Sequence, residues 1–489
     1  MSLPGRPKGE YRSAQHEGAP VSASNRTNAG TAPAAAPAPV SDRAAALFNM
    51  AWLLGDKAFA LVVGLVIFGA IARTYGPTGS GHFAYASALL QTGLGLSLVC
   101  AGVALLPRFC RMQAGPPGAL AGAIANVFVL RMVASVLAMV AMMLFTVFTV
   151  QEPERRTVAL IMLMAVPLIE PFYIFATYWL SRNDNKPTVI ARSSGLVLRS
   201  AVVLLGVWWG APLWLLATAW VLEAALNAGV QTLLVRPALP GLSLRRQVSP
   251  LRMRRYLGFG VRYVLALWLA QVFLRLDRLM LAEWLDPHDF GVYAAPMQLV
   301  EVWAQVAYLI GSAIATAYLY KRLDEHSRTR AFLVTAASMA GIGLLGLLGA
   351  WLAGPMLLRL VFGPAFAGSA PFLVAGAAFA VLLFADQAVD MLVMANDRPW
   401  LLAFKWGTAL SVAAGVMWVG FPHLGAFVGP AAGAAGLLAA WLALAVAPRH
   451  WHSRPAPRAG QLLPHATGGA NVGTTGVASA EHGHPTARS

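Results

Sequence analysis

Charge is scarce in this sequence. Only 11% of its 489 residues are Asp, Glu, Lys or Arg, against about 25% in ordinary soluble domains. Cysteine is scarcer still: Cys100 and Cys110 are the two present, so neither a disulfide framework nor a cysteine-based zinc site organises the chain. No Gly-Lys dipeptide occurs, which excludes a Walker phosphate loop and a built-in ATPase. No Asp-x-Asp pair is present to hold a metal–nucleotide sugar. No loop between apolar runs exceeds about twenty residues, which leaves no room for a large catalytic loop outside a membrane.

What is abundant is apolar: 58% of the residues are hydrophobic. A helix needs about 20 residues to cross the hydrocarbon of a bilayer. Twelve segments reach that length, at roughly 47–72, 82–106, 120–149, 158–180, 187–209, 212–235, 256–280, 290–319, 331–353, 369–394, 400–421 and 424–446. Residues 1–46 are rich in Ala, Pro, Ser and charge, and residues 447–489 in Gly, Pro and His. Neither tail has the apolar surface to offset the entropy of ordering, so both read as disordered. The tail histidines read as solvated, not as metal ligands, and no metal site is expected.

Lys and Arg exceed Asp and Glu by 16. In a membrane protein such an excess belongs to cytoplasmic loops facing anionic lipid, not to a nucleic-acid partner. With the N-terminus in the cytoplasm, twenty-four basic residues fall in the tails and even-numbered loops. Six (Arg73, Arg155, Arg156, Arg275, Arg278 and Arg359) fall on the outer side. Both termini are therefore expected to be cytoplasmic.

The sequence repeats itself. G-P-T-G-S-G-H-F-A-Y-A from Gly76 aligns with D-P-H-D-F-G-V-Y-A-A-P from Asp286 at an offset of 210, matching Pro77 to Pro287 and Gly81 to Gly291. N-D-N-K-P at 183–187 aligns with A-N-D-R-P at 395–399, matching Pro187 to Pro399 and Lys186 to Arg398. The expected architecture is all-α and polytopic: about twelve transmembrane helices in two six-helix lobes, 47–235 and 256–446, joined by a basic cytoplasmic linker, 236–255. Six is even, so the lobes should be related by a pseudo-two-fold axis along the membrane normal. Transporters built this way bind substrate between repeats near the midplane.

Charges inside the membrane are costly unless they face protein or a wet cavity, so each is a functional candidate. Arg199 is mid-span in the fifth segment, and Arg275 and Arg278 lie on one face of the seventh. They are candidates for binding an anion such as a diphosphate, which suits the guanidinium fork. The alternative for the latter two is that Arg278 pairs with Asp277 and Arg275 snorkels. Glu170 (between Pro167 and Pro171), Glu223, Asp277, Glu301, Asp386 and Asp390 are candidates for ion coupling or charge pairing. Arg131, Arg192 and Lys405 lie nearer cytoplasmic ends and are expected to snorkel to lipid phosphates. Gly429, Gly433 and Gly436 read as close helix packing.

Three segments carry a family resemblance. A-R-T-Y-G-P-T-G-S-G-H-F-A-Y-A from Ala72 resembles the Ala-Arg-x-Leu-Gly-Pro-x-x-x-Gly hairpin of the polysaccharide transporter, or O-antigen flippase, family, with Tyr75 in place of the Leu. That family lies within the multidrug/oligosaccharidyl-lipid/polysaccharide flippase superfamily. L-D-R-L-M-L-A-E-W-L-D-P-H-D-F-G-V-Y-A-A from Leu276 and L-V-F-G-P-A-F-A-G-S-A-P-F-L from Leu360 are similar to two later segments of the same family. The resemblance implies a non-enzymatic flippase in a bacterial inner membrane. It would move an undecaprenyl-diphosphate-linked oligosaccharide outward by alternating access, for O-antigen, capsule or exopolysaccharide synthesis. Implied partners are the lipid-linked oligosaccharide, membrane lipids, a polysaccharide polymerase and glycosyltransferases. No cofactor is expected beyond a proton or sodium gradient. Only Asp277 and Arg278 fall on a family motif. Two other functions stay open: a cation-coupled multidrug antiporter of the same superfamily, and a membrane scaffold for glycosyltransferases.

Overall fold

The computed structural model describes residues 42–100, 102–113, 115, 118–318, 325–395 and 399–446. The expected disorder of 1–41 and 447–489, the tail histidines and Arg398 lie outside these residues. Every regular element among the described residues is helical. In chain order they are α1 (Asp42–Leu96), α2 (Gly102–Gln113), α3 (Ala119–Thr149), α4 (Pro153–Leu163), α5 (Val166–Ile169), α6 (Tyr173–Ser181), α7 (Lys186–Trp208) and α8 (Leu213–Ala238). There follow α9 (Leu244–Gln247), α10 (Pro250–Phe273), α11 (Leu276–Trp284), α12 (Pro287–Tyr318), α13 (Glu325–Phe362), α14 (Ala370–Ala395), α15 (Pro399–Leu424) and α16 (Val428–Val446). Short 3₁₀ turns, Pro364–Ser369 and Gly425–Phe427, precede α14 and α16.

Eight helical stretches among the described residues are long and apolar enough to cross a membrane. Two of them, Lys57–Leu96 and Trp400–Val446, run to 40 and 47 residues, enough for two crossings each at about 20 residues per crossing. The first is divided at Gly76, whose φ of 66° is a left-handed conformation that a side chain would disfavour. The molecule wears its apolar residues outward, as a lipid-embedded bundle must: Phe148, Trp208, Trp351 and Trp418 are all about 70% exposed or more. An aqueous surface would not leave so much apolar area bare.

Two boundaries differ from expectation. Helix α1 starts at Asp42, inside the tail read as disordered to residue 46. Helix α10 starts at Pro250, inside the linker expected to run to 255. Three of the apolar segments are also interrupted. The segment 82–106 breaks between α1 and α2, 158–180 is divided into α4, α5 and α6, and 256–280 is divided into α10 and α11. Pro167 and Pro171 account for the second break, because neither can donate to the helix ladder. Leu274 and Arg275, at the third, carry no such mark.

Helix neighbours are mostly local. Helix α7 packs along α8 and α4 against α8; further on, α13 packs along α14, α15 along α16, and α10 along α15. Between the early and late helices the repeat motifs themselves meet. A Cβ on Gly81 would lie 2.8 Å from the Pro287 carbonyl oxygen, and one on Gly291 would collide with the Pro77 carbonyl. The contact is reciprocal, as a two-fold relation between matched residues requires. Arg73, from the first family-like segment, donates through Nε to the Val361 carbonyl of the third at 3.1 Å.

The same end of the molecule gathers other connections. Tyr75 donates to the Ala211 carbonyl. His82 Nε2 lies 2.9 Å from Glu152 Oε1, and Arg155 Nη1 donates to the Ala282 carbonyl at 2.5 Å. All lie at or beside the helix connections that the expected orientation puts outside. At the opposite end, Gln113 donates to Ser181 at 2.7 Å, and Asn126 holds both the Gln247 carbonyl and the Ser249 N–H at 2.8 Å.

Overpacking costs about 1–3 kcal/mol. Gly291→Val should therefore lower the thermal midpoint of the detergent-purified protein by several degrees. Gly349→Ala, whose Cβ would meet nothing within 4 Å, should not; equal midpoints would refute the close approach. The expected orientation puts exposed Cys110 on the cytoplasmic side, whereas Cys100 is buried. A membrane-impermeant maleimide should then label Cys110 in inverted vesicles but not in intact spheroplasts, and Cys100 in neither.

Candidate functional site

The break between α10 and α11 builds the site. Helix α10 ends at Phe273, Arg275 sits at the start of α11 with φ −121° and ψ −1°, and α11 resumes at Leu276. Non-helical backbone at membrane depth is tolerated where it is buried in protein or lines a cavity. Here it lines a cavity of about 250 Å³. The walls come from α10 to α12 and α14 to α16, and include Arg275, Asp277, Arg278, Tyr293, Glu301 and Gln387. Pockets for drug-sized ligands measure about 300–1,000 Å³, so this space is on the small side, of head-group size.

Four sequence-derived candidates meet there. Glu301, on α12, bridges both arginines: Oε1 is 2.9 Å from Arg275 Nη2, and Oε2 is 2.7 Å from Arg278 Nη1. Arg278 therefore takes its partner from α12 and not from its neighbour Asp277, and Arg275 does not snorkel. Asp277 instead accepts a hydrogen bond from Tyr293 at 2.7 Å. Two cations and two carboxylates leave the cavity formally neutral. Gly429 and Gly433 line it too; at Gly429 a Cβ would crowd the Tyr293 hydroxyl.

The repeat sets this constellation apart. At the offset of 210, Arg275, Asp277, Arg278 and Glu301 correspond to Leu65, Ile67, Phe68 and Gln91. The first copy of the duplicated unit is uncharged where the second carries four charges.

The other candidates form separate pairs. Arg199 on α7 meets Glu223 on α8 at 2.6 Å, with its guanidinium 5.0 Å from the Trp220 ring centre. It is not among the residues lining the cavity, so a single wall of three arginines does not form. Glu170 meets Arg131 at 3.1 Å. Asp386 and Asp390, one turn apart on α14, both receive Lys405 from α15, the former at 2.6 Å. Trp441 Nε1 donates to Asp386 at 2.7 Å, and Lys405 Nζ lies 3.9 Å from the Trp406 ring centre.

Two expectations of snorkelling are thereby overturned. Arg131 and Lys405 are both fully buried, at 0% exposure. Arg131 also donates to the carbonyls of Cys100 and Glu170, where helices α1–α2 and α5–α6 are interrupted. Broken helices leave carbonyls without partners, and a buried guanidinium satisfies them. The signal for Lys405 was available: two carboxylates one turn apart in a span need a cation, and Lys405 is a single helix away.

A family model described as "Polysaccharide biosynthesis protein" matches residues 121–315. No curated protein matches the chain. Among solved structures, the chain resembles an inward-facing multidrug resistance MATE family transporter of the MOP superfamily. The TM-score is 0.58 and the identity 15%, over 79% of this chain and 93% of that one. It resembles the lipid II flippase MurJ in an inward closed conformation with a TM-score of 0.58 and 10% identity, over 82% and 89% of the two chains. An outward-facing MATE transporter of the superfamily gives 0.52 and 15%, over 82% and 92%. These likenesses show a fold shared with multi-pass membrane transporters. The chain has the fold of the multidrug/oligosaccharidyl-lipid/polysaccharide (MOP) superfamily, and its residues 121–315 carry the sequence pattern of the polysaccharide biosynthesis family.

Breaking a buried pair by removing one partner costs about 3–5 kcal/mol, because a charge is left uncompensated. Lys405→Met should therefore sharply reduce the yield of monodisperse protein. Combining it with Asp386→Asn and Asp390→Asn should restore part of that yield. A yield unchanged by the single substitution would refute the triad.

Proposed function

We propose that the protein is a flippase for an undecaprenyl-diphosphate-linked oligosaccharide in a bacterial inner membrane, serving surface polysaccharide synthesis. The observation that carries this reading is the pair Arg275 and Arg278 at a helix break, opening onto a cavity of head-group size. Two guanidiniums offer parallel N–H donors that match phosphate oxygens. The likeness to a lipid II flippase and the match to a polysaccharide biosynthesis family support it.

Transport would proceed by alternating access, the lobes 47–235 and 256–446 rocking about the Gly81–Gly291 contact. With the outer loops drawn together, the present conformation would be closed toward the outside. A proton or sodium gradient is the expected energy source. Polymerase and glycosyltransferases are the expected neighbours in the membrane.

One observation favours a second reading. The cavity has no net positive charge, which also suits the cation-coupled drug antiporters of this superfamily. The two separate in a deletion strain of the native host. A flippase predicts loss of surface polysaccharide with build-up of undecaprenyl-linked oligosaccharide on the cytoplasmic leaflet. Arg278→Ala should reproduce the deletion while the protein still inserts. Unchanged sugars, with drug resistance on overexpression, would replace the flippase by the antiporter.

A further inference from the structure

The neutral cavity poses a physical problem for the reading above. A phosphate head group cannot simply dock on Arg275 and Arg278, because Glu301 already occupies the space between them. Each of its oxygens takes one arginine, at 2.9 and 2.7 Å. This is the way two oxygens of a single phosphate would bridge two guanidiniums. Helix α11 starts at the same wall and adds the positive end of its dipole. Arg275 keeps a buried Nε without a partner, so the donors exceed what one carboxylate satisfies. The site has the chemistry of an anion site that holds an anion of the protein's own.

We propose that Glu301 is a resident stand-in for the ligand's phosphate, and that an anionic head group binds by displacing it as Glu301 takes up a proton. Two anions cannot share one pair of arginines at low dielectric without strong repulsion. A protonated Glu301 releases both arginines and leaves the cavity with one net positive charge, from Arg275, Arg278 and Asp277, to meet the incoming phosphate. Binding of one head group is then linked to uptake of one proton.

Among the described residues, Arg275 and Arg278 are the charged partners of Glu301. From α11 it faces Arg275 and Arg278, with Asp277 behind them held by Tyr293. On α14 the lining polar residue is Gln387, and Asp386 and Asp390 are engaged by Lys405. Helices α15 and α16 line the cavity with uncharged residues. Helix α13, packed on α12, has no charged residue between Arg330 and Arg359.

The inference rests on the phosphate reading, and the experiment separates the two. Full-length protein in detergent is titrated with farnesyl diphosphate by calorimetry, in buffers of different ionisation enthalpy, between pH 6 and 8. Wild type should take up about one proton more per bound probe than Glu301→Gln. The variant's gain in affinity over wild type should grow about tenfold per pH unit, about 100-fold between pH 6 and pH 8. Farnesyl sulfate, which does not titrate in this range, gives the same proton count on wild type alone should the variant fail to fold. Equal proton uptake in both proteins, or weaker binding by Glu301→Gln, would overturn the stand-in role. The phosphate reading would survive that result if Arg275→Ala/Arg278→Ala abolished binding. Failure of both probes to bind either protein would overturn the phosphate reading and the stand-in together.

Discussion

A charge in hydrocarbon must find a partner, and that requirement organises this molecule. Lipid supplies little hydrophobic drive for helices to associate, so packing and polar pairing between helices carry the task. The buried charges do this pair by pair. Arg131 ties α3 to the α5–α6 break, Arg199 ties α7 to Glu223 of α8, Arg275 and Arg278 tie α11 to α12, and Lys405 ties α15 to α14. Each pair fixes which helices are neighbours and at what height they meet.

The pairs are not equivalent. Lys405 and Arg131 are sealed in protein and engaged by carboxylates, with carbonyls at Arg131 and a Trp ring at Lys405. Arg275, Arg278 and Glu301 instead border an open space, at a helix interruption that has no proline or glycine to cause it. Backbone there is held by what surrounds it, with Arg275 Nη1 donating to the Leu274 carbonyl at 3.2 Å. The duplication sharpens the contrast. The charge cluster is present in one copy, and Leu65, Ile67, Phe68 and Gln91 stand in its place in the other.

Close approach between the early and late helices depends on glycine in the same way. Gly81 and Gly291 let the backbones of the matched motifs touch, and any Cβ at Gly291 would meet the Pro77 carbonyl. A contact made by equivalent residues in both directions is a natural fulcrum, since a small rotation changes both sides alike. Around it, Arg73, Tyr75, His82 and Arg155 add hydrogen bonds and ion pairs that join the helix connections at that end.

Apolar length, the excess of basic residues and the repeats at Pro77/Pro287 and Pro187/Pro399 were enough to read an all-helical, polytopic membrane protein. Those properties are local, or depend on periodicity and counting along the chain. The residues of the site were legible too, because a charge deep in an apolar run is conspicuous whatever surrounds it. Which charge meets which was not legible. Asp277 is adjacent to Arg278 in sequence, yet a helix turns adjacent residues about 100° apart, and Arg278 finds Glu301 23 residues away. Lys405 looked close enough to a helix end to reach lipid, but two carboxylates on α14 offered it a better partner. Sequence alone determined that the charges had to be paired. Only the tertiary structure decided their partners, because pairing depends on the height and facing of helices that the chain's own order does not specify.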